Sequence, residues 1–158
     1  MKKRALGSTA STVTAPGLGC MGMSWGYSEG TRNDKQSVAV IRKALELGVD
    51  FFDTANVYGD GHNEQLLGSA LGAHSDRIVL AAKLGLVVDD LKTRAMHTDG
   101  SPKNVRASAE ASLRRLGADH VELLYLHRVD KNTPLLETWG PCGSLSKKAK
   151  RDISDYQK

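Results

Sequence analysis

Short apolar runs and stretches of helical periodicity alternate along most of the chain. Four runs of apolar residues are short and nearly continuous, and they cover residues 16–21, 49–52, 78–82 and 121–126. Runs of this kind are typical of parallel strands that are covered on both faces. Between successive runs, apolar residues recur every three or four positions, which predicts amphipathic helices. The predicted order of elements is therefore β-α-β-α-β-α-β.

Each of the three predicted helices has a polar residue at its start and a glycine at its end. Asparagine, aspartate and serine side chains accept hydrogen bonds from the first free N–H groups of a helix, and glycine readily adopts the conformation that ends one. Pro102 also suits the first turn of the third helix. The predicted N-caps are Asn33 or Asp34, Asn63 and Ser101, and the predicted ends are Gly48, Gly72 and Gly117.

Two segments fall outside this alternation. The Gly-, Ser- and Thr-rich segment before residue 16 is compatible with a hairpin. Residues 84–100 are predicted to form a long loop between the third strand and the third helix, and loops of that length are usually functional or mobile. Doubly wound sheets and (β/α)₈ barrels both begin with the predicted order, so the pattern alone leaves the two architectures open.

The composition fits one folded domain in a reducing compartment. The chain has 158 residues and is 40% hydrophobic, which is enough for a real core. No apolar run approaches the ~18 residues that cross a bilayer, so we expect no membrane association. Cys20 and Cys142 are too few for a disulfide framework and lack zinc-site spacing, which predicts no metal and a cytoplasmic location. The basic, hydroxyl-rich segment before Glu29 is also compatible with an organelle transit peptide.

The net charge of +4 is concentrated at one end of the chain. Residues 141–158 hold five basic and two acidic side chains, which leaves only +1 for residues 1–140. A nearly neutral body without a basic stripe gives little attraction for a phosphate backbone. We therefore expect no nucleic-acid partner.

Ionisable residues follow three of the four predicted strands. Asp53, Lys83 and His127 each stand at a strand's carboxyl end, and Tyr58 lies in the loop after Asp53. Barrels and open α/β sheets both place their sites at this end. A tyrosine hydroxyl is a weak acid at neutral pH, and an adjacent ammonium stabilises its phenolate. The set is suited to protonating a carbonyl oxygen, with Asp53 holding Lys83 and with His127 orienting the substrate.

Four stretches of sequence resemble the aldo-keto reductase family. Residues 53–64 (DTANVYGDGHNE), continuing through Leu67–Gly68 and Ala70–Leu71, are similar to the family signature. The start GLGCMG at 17–22, the AK pair at 82–83 and LYLHR at 124–128 are similar to its first, third and fourth strands. The resemblance covers residues 4–140. It implies a (β/α)₈ TIM barrel closed at its bottom by an N-terminal hairpin, with NADPH as cofactor and an aldehyde or ketone as substrate.

The resemblance also implies a role for each matching residue. Tyr58 is implied to be the general acid, Lys83 and Asp53 to tune it, and His127 to orient the carbonyl. The implied cofactor-binding residues are Gly19, Cys20 and Met21, beside the nicotinamide ribose, together with Asp53. The implied substrate-pocket residues are Trp25, Tyr27 and His127. For Trp25 and Tyr27, packing within the first loop is an equally good interpretation. Cys20 has no base partner in the sequence and is interpreted as a packing residue.

The chain departs from the family at its carboxyl end. A (β/α)₈ barrel typically needs ≈ 250 residues, whereas this chain has reached only its fourth strand at His127 and has 158 residues. We therefore expect a truncated barrel in residues 1–140, with a hairpin and about four β/α units. Residues 141–158 lack apolar periodicity. One back-translation of residues 140–158, read two bases out of frame, resembles the family's fourth helix and fifth strand, so we interpret this basic tail as frameshifted.

Three functional interpretations remain at this stage. The first is NADPH-dependent reduction of aldehydes or ketones, with activity impaired by truncation. The second is a regulatory binding module related to potassium-channel β subunits, which share the fold. The third is an inert, partly folded fragment without catalysis. Such a fragment is expected to be poorly folded or to self-associate through the open edges of its sheet, since unpaired strand edges favour association.

Overall fold

The computed structural model describes residues 1–7, 11–26, 32–72 and 77–140. Within these ranges the chain forms eight strands, four α-helices and one 3₁₀ turn. The strands are β1 (Lys2–Ala5), β2 (Thr12–Ala15), β3 (Leu18–Gly19), β4 (Phe51–Asp53), β5 (Val79–Leu84), β6 (Leu86–Asp90), β7 (Ala95–Thr98) and β8 (Leu123–Leu126). The helices are α1 (Asp34–Glu46), α2 (His62–Leu71), α3 (Pro102–Leu116) and α4 (Leu135–Trp139), and the 3₁₀ turn is Met21–Met23.

The first two strands form the hairpin that the N-terminal segment suggested. Strands β1 and β2 pair antiparallel, with Lys2 opposite Ala15. The hairpin is fixed to the sheet through Asp50, which directly precedes β4. The carboxylate of Asp50 accepts a hydrogen bond from the Thr14 N–H at 2.6 Å and forms an ion pair with Lys3. The hairpin therefore lies at the amino ends of the parallel strands, opposite the end that carries the predicted site.

Strands β3, β4, β5 and β8 form one parallel sheet in that order. The predicted order of strands and helices is thereby confirmed. The first predicted strand, residues 16–21, is shorter in the structure because the chain turns away after Gly19. The Cys20 N–H donates to the Asp53 carbonyl at 2.9 Å, and Met23 N–H then closes a turn on the Cys20 carbonyl at 3.0 Å.

The main core lies between the sheet and the first three helices. Phe52 and Leu80 are paired in register and are almost completely buried. They pack with apolar side chains of α1 and α2, and with the last residue of α3, in a single cluster. Because side chains alternate across a strand, Asp53 and Lys83 point to the opposite face from Phe52 and Leu80. The core thus determines which strand residues face the site.

Two of the predicted helix starts are confirmed, and so are all three glycine ends. The Asn33 side chain accepts from Gln36 N–H, and the Ser101 side chain accepts from Asn104 N–H. The predicted cap at Asn63 is wrong. The N-cap of helix α2 lies two residues earlier, at Gly61, and the helix begins at His62. The φ of 88° at Gly61 suits a residue without a Cβ. The three ends at Gly48, Gly72 and Gly117 all have positive φ.

The predicted long loop over residues 84–100 is a hairpin of two strands. Strands β6 and β7 pair antiparallel, with Leu86 opposite Thr98 and an irregularity between Val88 and Asp90. Asp89 and His97 are in contact across the pair, with 2.8 Å between the carboxylate and Nδ1. Charged residues at strand positions, and a connecting turn without glycine, conceal the strand pattern in the sequence.

The described residues correspond to the first four β/α units of a (β/α)₈ barrel, with a hairpin at each end of the sheet. This confirms the fold class that the resemblance implied. The described ranges leave out residues 8–10, 27–31, 73–76 and 141–158. The predictions for Tyr27 and for the basic tail therefore concern residues outside the described ranges. In the described ranges, no helix has both the length and the apolar character needed to cross a bilayer.

Candidate active site

Lys83 and Asp53 form an ion pair at the carboxyl ends of neighbouring strands. The ammonium donates a hydrogen bond to the Asp53 carboxylate and a second one, at 3.1 Å, to the Thr54 carbonyl. The side chain of Lys83 is only 18% exposed, so the pair is partly shielded from solvent. Charge-assisted hydrogen bonds of this kind hold a side chain in one orientation. Lys83 therefore has a defined position over the sheet.

Tyr58 stands beside this ion pair. The loop between β4 and α2 turns back at Ala55, whose carbonyl accepts a hydrogen bond from the Tyr58 N–H at 3.2 Å. This brings the aromatic ring of Tyr58 over the sheet, with 5.2 Å between the Lys83 ammonium and the ring centroid. Tyr58 is 5% exposed. The Tyr58 ring thus belongs to a largely enclosed environment with a cation nearby.

His127 completes the group from the end of β8. The backbone N–H of His127 donates to the Leu84 carbonyl at 2.8 Å. The imidazole ring meets the Tyr58 ring edge to face, with 5.7 Å between the two ring centroids. Burial lowers the pKa of His127, and the positive charges of Lys83 and Arg128 lower it further. The imidazole is therefore neutral at pH 7 and has one N–H to donate. The structure brings together all four residues that the sequence pattern singled out.

The predicted cofactor residues lie at the end of β3, directly beside Asp53. Gly19 is opposite Asp53 in the sheet, and a Cβ at Gly19 would meet no atom within 4 Å. The space next to this strand end is therefore open. Cys20 is fully buried, and burial raises the pKa of its thiol to about 12. A thiol of that kind is not a nucleophile at neutral pH, and the backbone N–H and carbonyl of Cys20 are both hydrogen-bonded within the chain. This agrees with the interpretation of Cys20 as a packing residue.

Two buried polar atoms near the strand ends have no hydrogen-bond partner among the described residues. They are Nδ1 of His127 and Oδ1 of Asn56. Asn56 adjoins the site, because its N–H donates to the Lys83 carbonyl at 3.1 Å. Buried polar atoms without partners are rare in proteins and suggest a bound polar group. Together with the open space at Gly19, they fit a nicotinamide cofactor and a carbonyl substrate.

Trp25, predicted as a wall residue of the substrate pocket, packs in the same cluster as Tyr58. It is buried in a cluster with Tyr58, Ala55, Val57 and Leu86. The predicted position of Trp25 in the first loop therefore places it against the proposed general acid. Met21 is half-buried and packs against the same cluster. The second aromatic residue predicted for this wall, Tyr27, lies outside the described residues.

The hairpin β6–β7 supplies wall residues that the sequence pattern did not indicate. Leu86 belongs to the cluster around Trp25, and Val88 packs against it. The Arg94 guanidinium lies 5.6 Å from the centroid of the Trp25 ring, which is within the range of a cation–π contact. The available signal is the apolar stretch 86–88, which begins three residues after Lys83 and lies within the segment predicted to be a loop.

Comparisons with known proteins agree with this geometry. The sequence profile of the Aldo/keto reductase family matches residues 17–150. The soybean (Glycine max) protein "Probable aldo-keto reductase 1" is 36% identical over 146 residues, which cover 92% of this chain and 41% of that protein. The profile match ends beyond the predicted domain boundary at residue 140, and that boundary stays a prediction.

Solved structures of the same family superpose on most of the chain. The holo form of aldo-keto reductase AKR11C1 from Bacillus halodurans has a TM-score of 0.80 and 32% identity, over 94% of this chain and 47% of that one. The glycerol dehydrogenase AKR11B4 from Gluconobacter oxydans has a TM-score of 0.75 and 32% identity, over 90% of this chain and 44% of that one. The chain therefore spans less than half the length of these relatives, and it belongs to the aldo/keto reductase family.

Proposed function

We propose that this chain supplies the catalytic residues of an NADPH-dependent reductase that converts aldehydes or ketones to alcohols. The observation that carries the proposal is the position of Tyr58 between the Lys83 ammonium and the His127 ring. The ion pair of Lys83 with Asp53 keeps that ammonium in place. A relative from Gluconobacter oxydans is named a glycerol dehydrogenase, which supports chemistry between an alcohol and a carbonyl.

In this proposal, bound NADPH supplies the hydride that reaches the carbonyl carbon. The chain's own residues handle the proton and the orientation of the substrate. The Tyr58 hydroxyl donates a proton to the carbonyl oxygen as negative charge develops there. The nearby Lys83 ammonium stabilises the phenolate that remains. Neutral His127 donates its N–H to the same oxygen and so fixes the direction of the carbonyl.

The cofactor would be held at the end of β3 and by Asp53. Gly19 leaves space for a ring beside the sheet and is paired with Asp53 on the neighbouring strand. Met21 follows two residues later and would contact the cofactor from the 3₁₀ turn. Trp25 and the hairpin β6–β7 would contact the part of the substrate beyond the carbonyl. The small number of cysteines favours the reducing cytoplasm as the place of action.

The test is a hydroxyl deletion in a protein with a complete barrel. Residues 1–140 would be joined to the C-terminal half of the Bacillus halodurans relative, and NADPH oxidation would be followed at 340 nm with a nitrobenzaldehyde. We expect Tyr58→Phe to reduce kcat by roughly 10²-fold or more, because the general acid is lost. Ser69→Ala, which removes an exposed hydroxyl from α2, is the control and should retain the parent rate.

The same experiment distinguishes the alternative functions. A Tyr58→Phe protein with the parent turnover would contradict the proposed proton donor. Absence of turnover in both proteins, together with NADPH binding, would favour a regulatory binding module. We further propose that residues 1–158 by themselves turn over NADPH far more slowly than the completed barrel.

A further inference from the structure

The amide of Asn63 joins three parts of the chain behind the candidate active site. Asn63 is the second residue of α2 and is 1% exposed. Its Oδ1 accepts a hydrogen bond from the Thr54 hydroxyl at 2.7 Å. Its Nδ2 donates to the Cys20 carbonyl at 2.8 Å and to the Ser24 hydroxyl at 3.0 Å. One side chain therefore connects the end of β4, the end of β3 and the 3₁₀ turn.

Each of these three partners adjoins a residue of the proposed reaction. The Thr54 carbonyl accepts a hydrogen bond from the Lys83 ammonium. The Cys20 N–H donates to the carbonyl of Asp53, whose side chain pairs with Lys83. Ser24 directly precedes Trp25, which forms part of the site wall. Each residue that the Asn63 amide bonds is therefore itself one hydrogen bond or one peptide unit away from a residue of the site.

An asparagine is the residue that this position requires. The three bonds need one acceptor and two donated N–H groups, which a short side-chain amide provides. An aspartate has the same shape, but when ionised it offers only acceptors. A carboxylate at this position would face the Cys20 carbonyl, and both groups would be acceptors in a buried environment. Such a pair is costly because neither group is satisfied.

A neighbouring histidine extends the connection to the first helix. His62 Nδ1 lies 2.8 Å from the Ser24 hydroxyl oxygen, and His62 Nε2 lies 3.1 Å from the Asp34 carboxylate. The hydroxyl of Ser24 is thus shared between Asn63 and His62, and Ser24 is 2% exposed. The turn that carries Met21 and Trp25 is therefore fastened from its buried side.

We propose that Asn63 is a positioning residue for the hydride-transfer site. Its amide holds residues 20–25, which border the proposed nicotinamide and substrate positions, in register with the Asp53–Lys83 pair. The expected effect on NADPH binding rests on the proposed function. The position of the turn itself is measured separately, through the fluorescence of Trp25.

The experiment uses Trp25 as a reporter in the whole chain. The chain has two tryptophans, so Trp139→Phe leaves Trp25 as the single emitter. In that background, Asn63→Asp should shift the emission of Trp25 to longer wavelength and increase its quenching by acrylamide, because the turn loses both donated bonds. The Kd for NADPH should rise roughly 10-fold, as expected for loss of one or two buried hydrogen bonds. Gln65→Glu makes the same chemical change at an exposed position of α2 and should match the parent.

The melting curve of each variant separates positioning from loss of folding. A purely structural role would lower the melting temperature and leave the emission of the folded state unchanged. That result, or a parent-like Kd in a folded Asn63→Asp protein, would overturn the inference. If Asn63→Asp does not fold, Ser24→Ala decides. It removes one of the three bonds of Asn63 together with the bond between Ser24 and His62, keeps the bond to the Cys20 carbonyl, and should give a smaller shift in the same direction. Lack of NADPH binding by the completed barrel, measured separately, would contradict the proposed cofactor, and the emission of Trp25 in the whole chain would still test the positioning.

Discussion

The protonation state of His127 depends on groups that the other catalytic candidates provide. Burial is the main reason that its pKa lies below the ordinary value, and the Lys83 charge is the second. In the acid range the unfolded chain therefore binds this proton more readily than the folded protein does. The contribution of neutral His127 to the free energy of unfolding is complete above about pH 6.5, and it is lost as the pH falls through the lowered pKa.

Removal of the Lys83 charge should raise the pKa of His127. In Lys83→Met we expect a value closer to the ordinary ~6.5, although still below it, because the ring stays buried. The measurement is an NMR titration of the imidazole C2 protons, in which His127→Asn assigns the signal among the five histidines. Lys92→Met removes a charge from the exposed turn of the second hairpin and should leave the titration unchanged. An unchanged or lower pKa in Lys83→Met would contradict the proposed arrangement.

At the residue scale, the sequence indicated the site through strand ends. Asp53, Lys83 and His127 each follow an apolar run, and parallel strands bring such residues to one edge of a sheet. The role of Asn63 was not predictable in this way. Its position before an apolar helix suggests a cap, whereas its actual partners are far away in sequence. Tertiary hydrogen bonds of this kind leave no local pattern.

At the element scale, helices α2 and α3 approach each other through a glycine. A Cβ at Gly68 would lie 2.5 Å from the Leu116 carbonyl oxygen, which is a backbone atom and cannot rotate away. An ion pair between Arg115 and the buried Glu64 carboxylate, at 3.0 Å, joins the same two helices. The loop that carries Tyr58 enters α2 beside the Arg115 side chain, because Gly61 packs against that side chain.

We expect Gly68→Ala to destabilise the chain by about 1–3 kcal/mol, because overpacking forces the two helices apart. The free energy of unfolding would be measured by urea denaturation. Ser69→Ala adds no atom to the contact and occupies an exposed position on the same helix, so its stability should equal or slightly exceed that of the parent. A Gly68→Ala protein as stable as this control would show that the helices are not in close contact.

The secondary structure of the barrel segment was predictable, and that of the second hairpin was not. Apolar periodicity and glycine ends mark α1, α2 and α3, because each buries one face against the sheet. Strand β6 buries Leu86 in the cluster around Trp25, whereas every residue of β7 is partly or fully exposed. A hairpin that buries so little has no apolar face, so the sequence shows no alternation.

At the scale of the whole molecule, the described sheet has two outer strands. Strands β3 and β8 are each paired on one side among the described residues. We propose that a protein consisting of residues 1–158 alone self-associates through these edges, since unpaired backbone groups favour strand addition. Leaving a few hundred Å² of apolar surface in water costs several kcal/mol at ~25 cal/mol per Å².

Size-exclusion chromatography with light scattering, at protein concentrations about tenfold apart, tests this proposal. We expect the apparent mass to rise with concentration, and the Kd for NADPH to be at least about tenfold higher than in the completed barrel. The completed barrel serves as the control, because its outer strands are paired. A monodisperse monomer with a cooperative melting transition and micromolar NADPH affinity would contradict the prediction.

The second hairpin leaves and rejoins the barrel segment at almost one point. The Asp99 N–H donates to the Gly85 carbonyl at 3.0 Å, so the hairpin closes on itself between β5 and α3. Its connecting turn, residues 91–94, is exposed except for the contact of Arg94 with Trp25. Changes of length or sequence in that turn are therefore expected to leave the pairing of the parallel strands intact. Under the proposed function, such changes offer a way to alter substrate preference, through the contact of Arg94 with Trp25, while Tyr58 and Lys83 keep their positions.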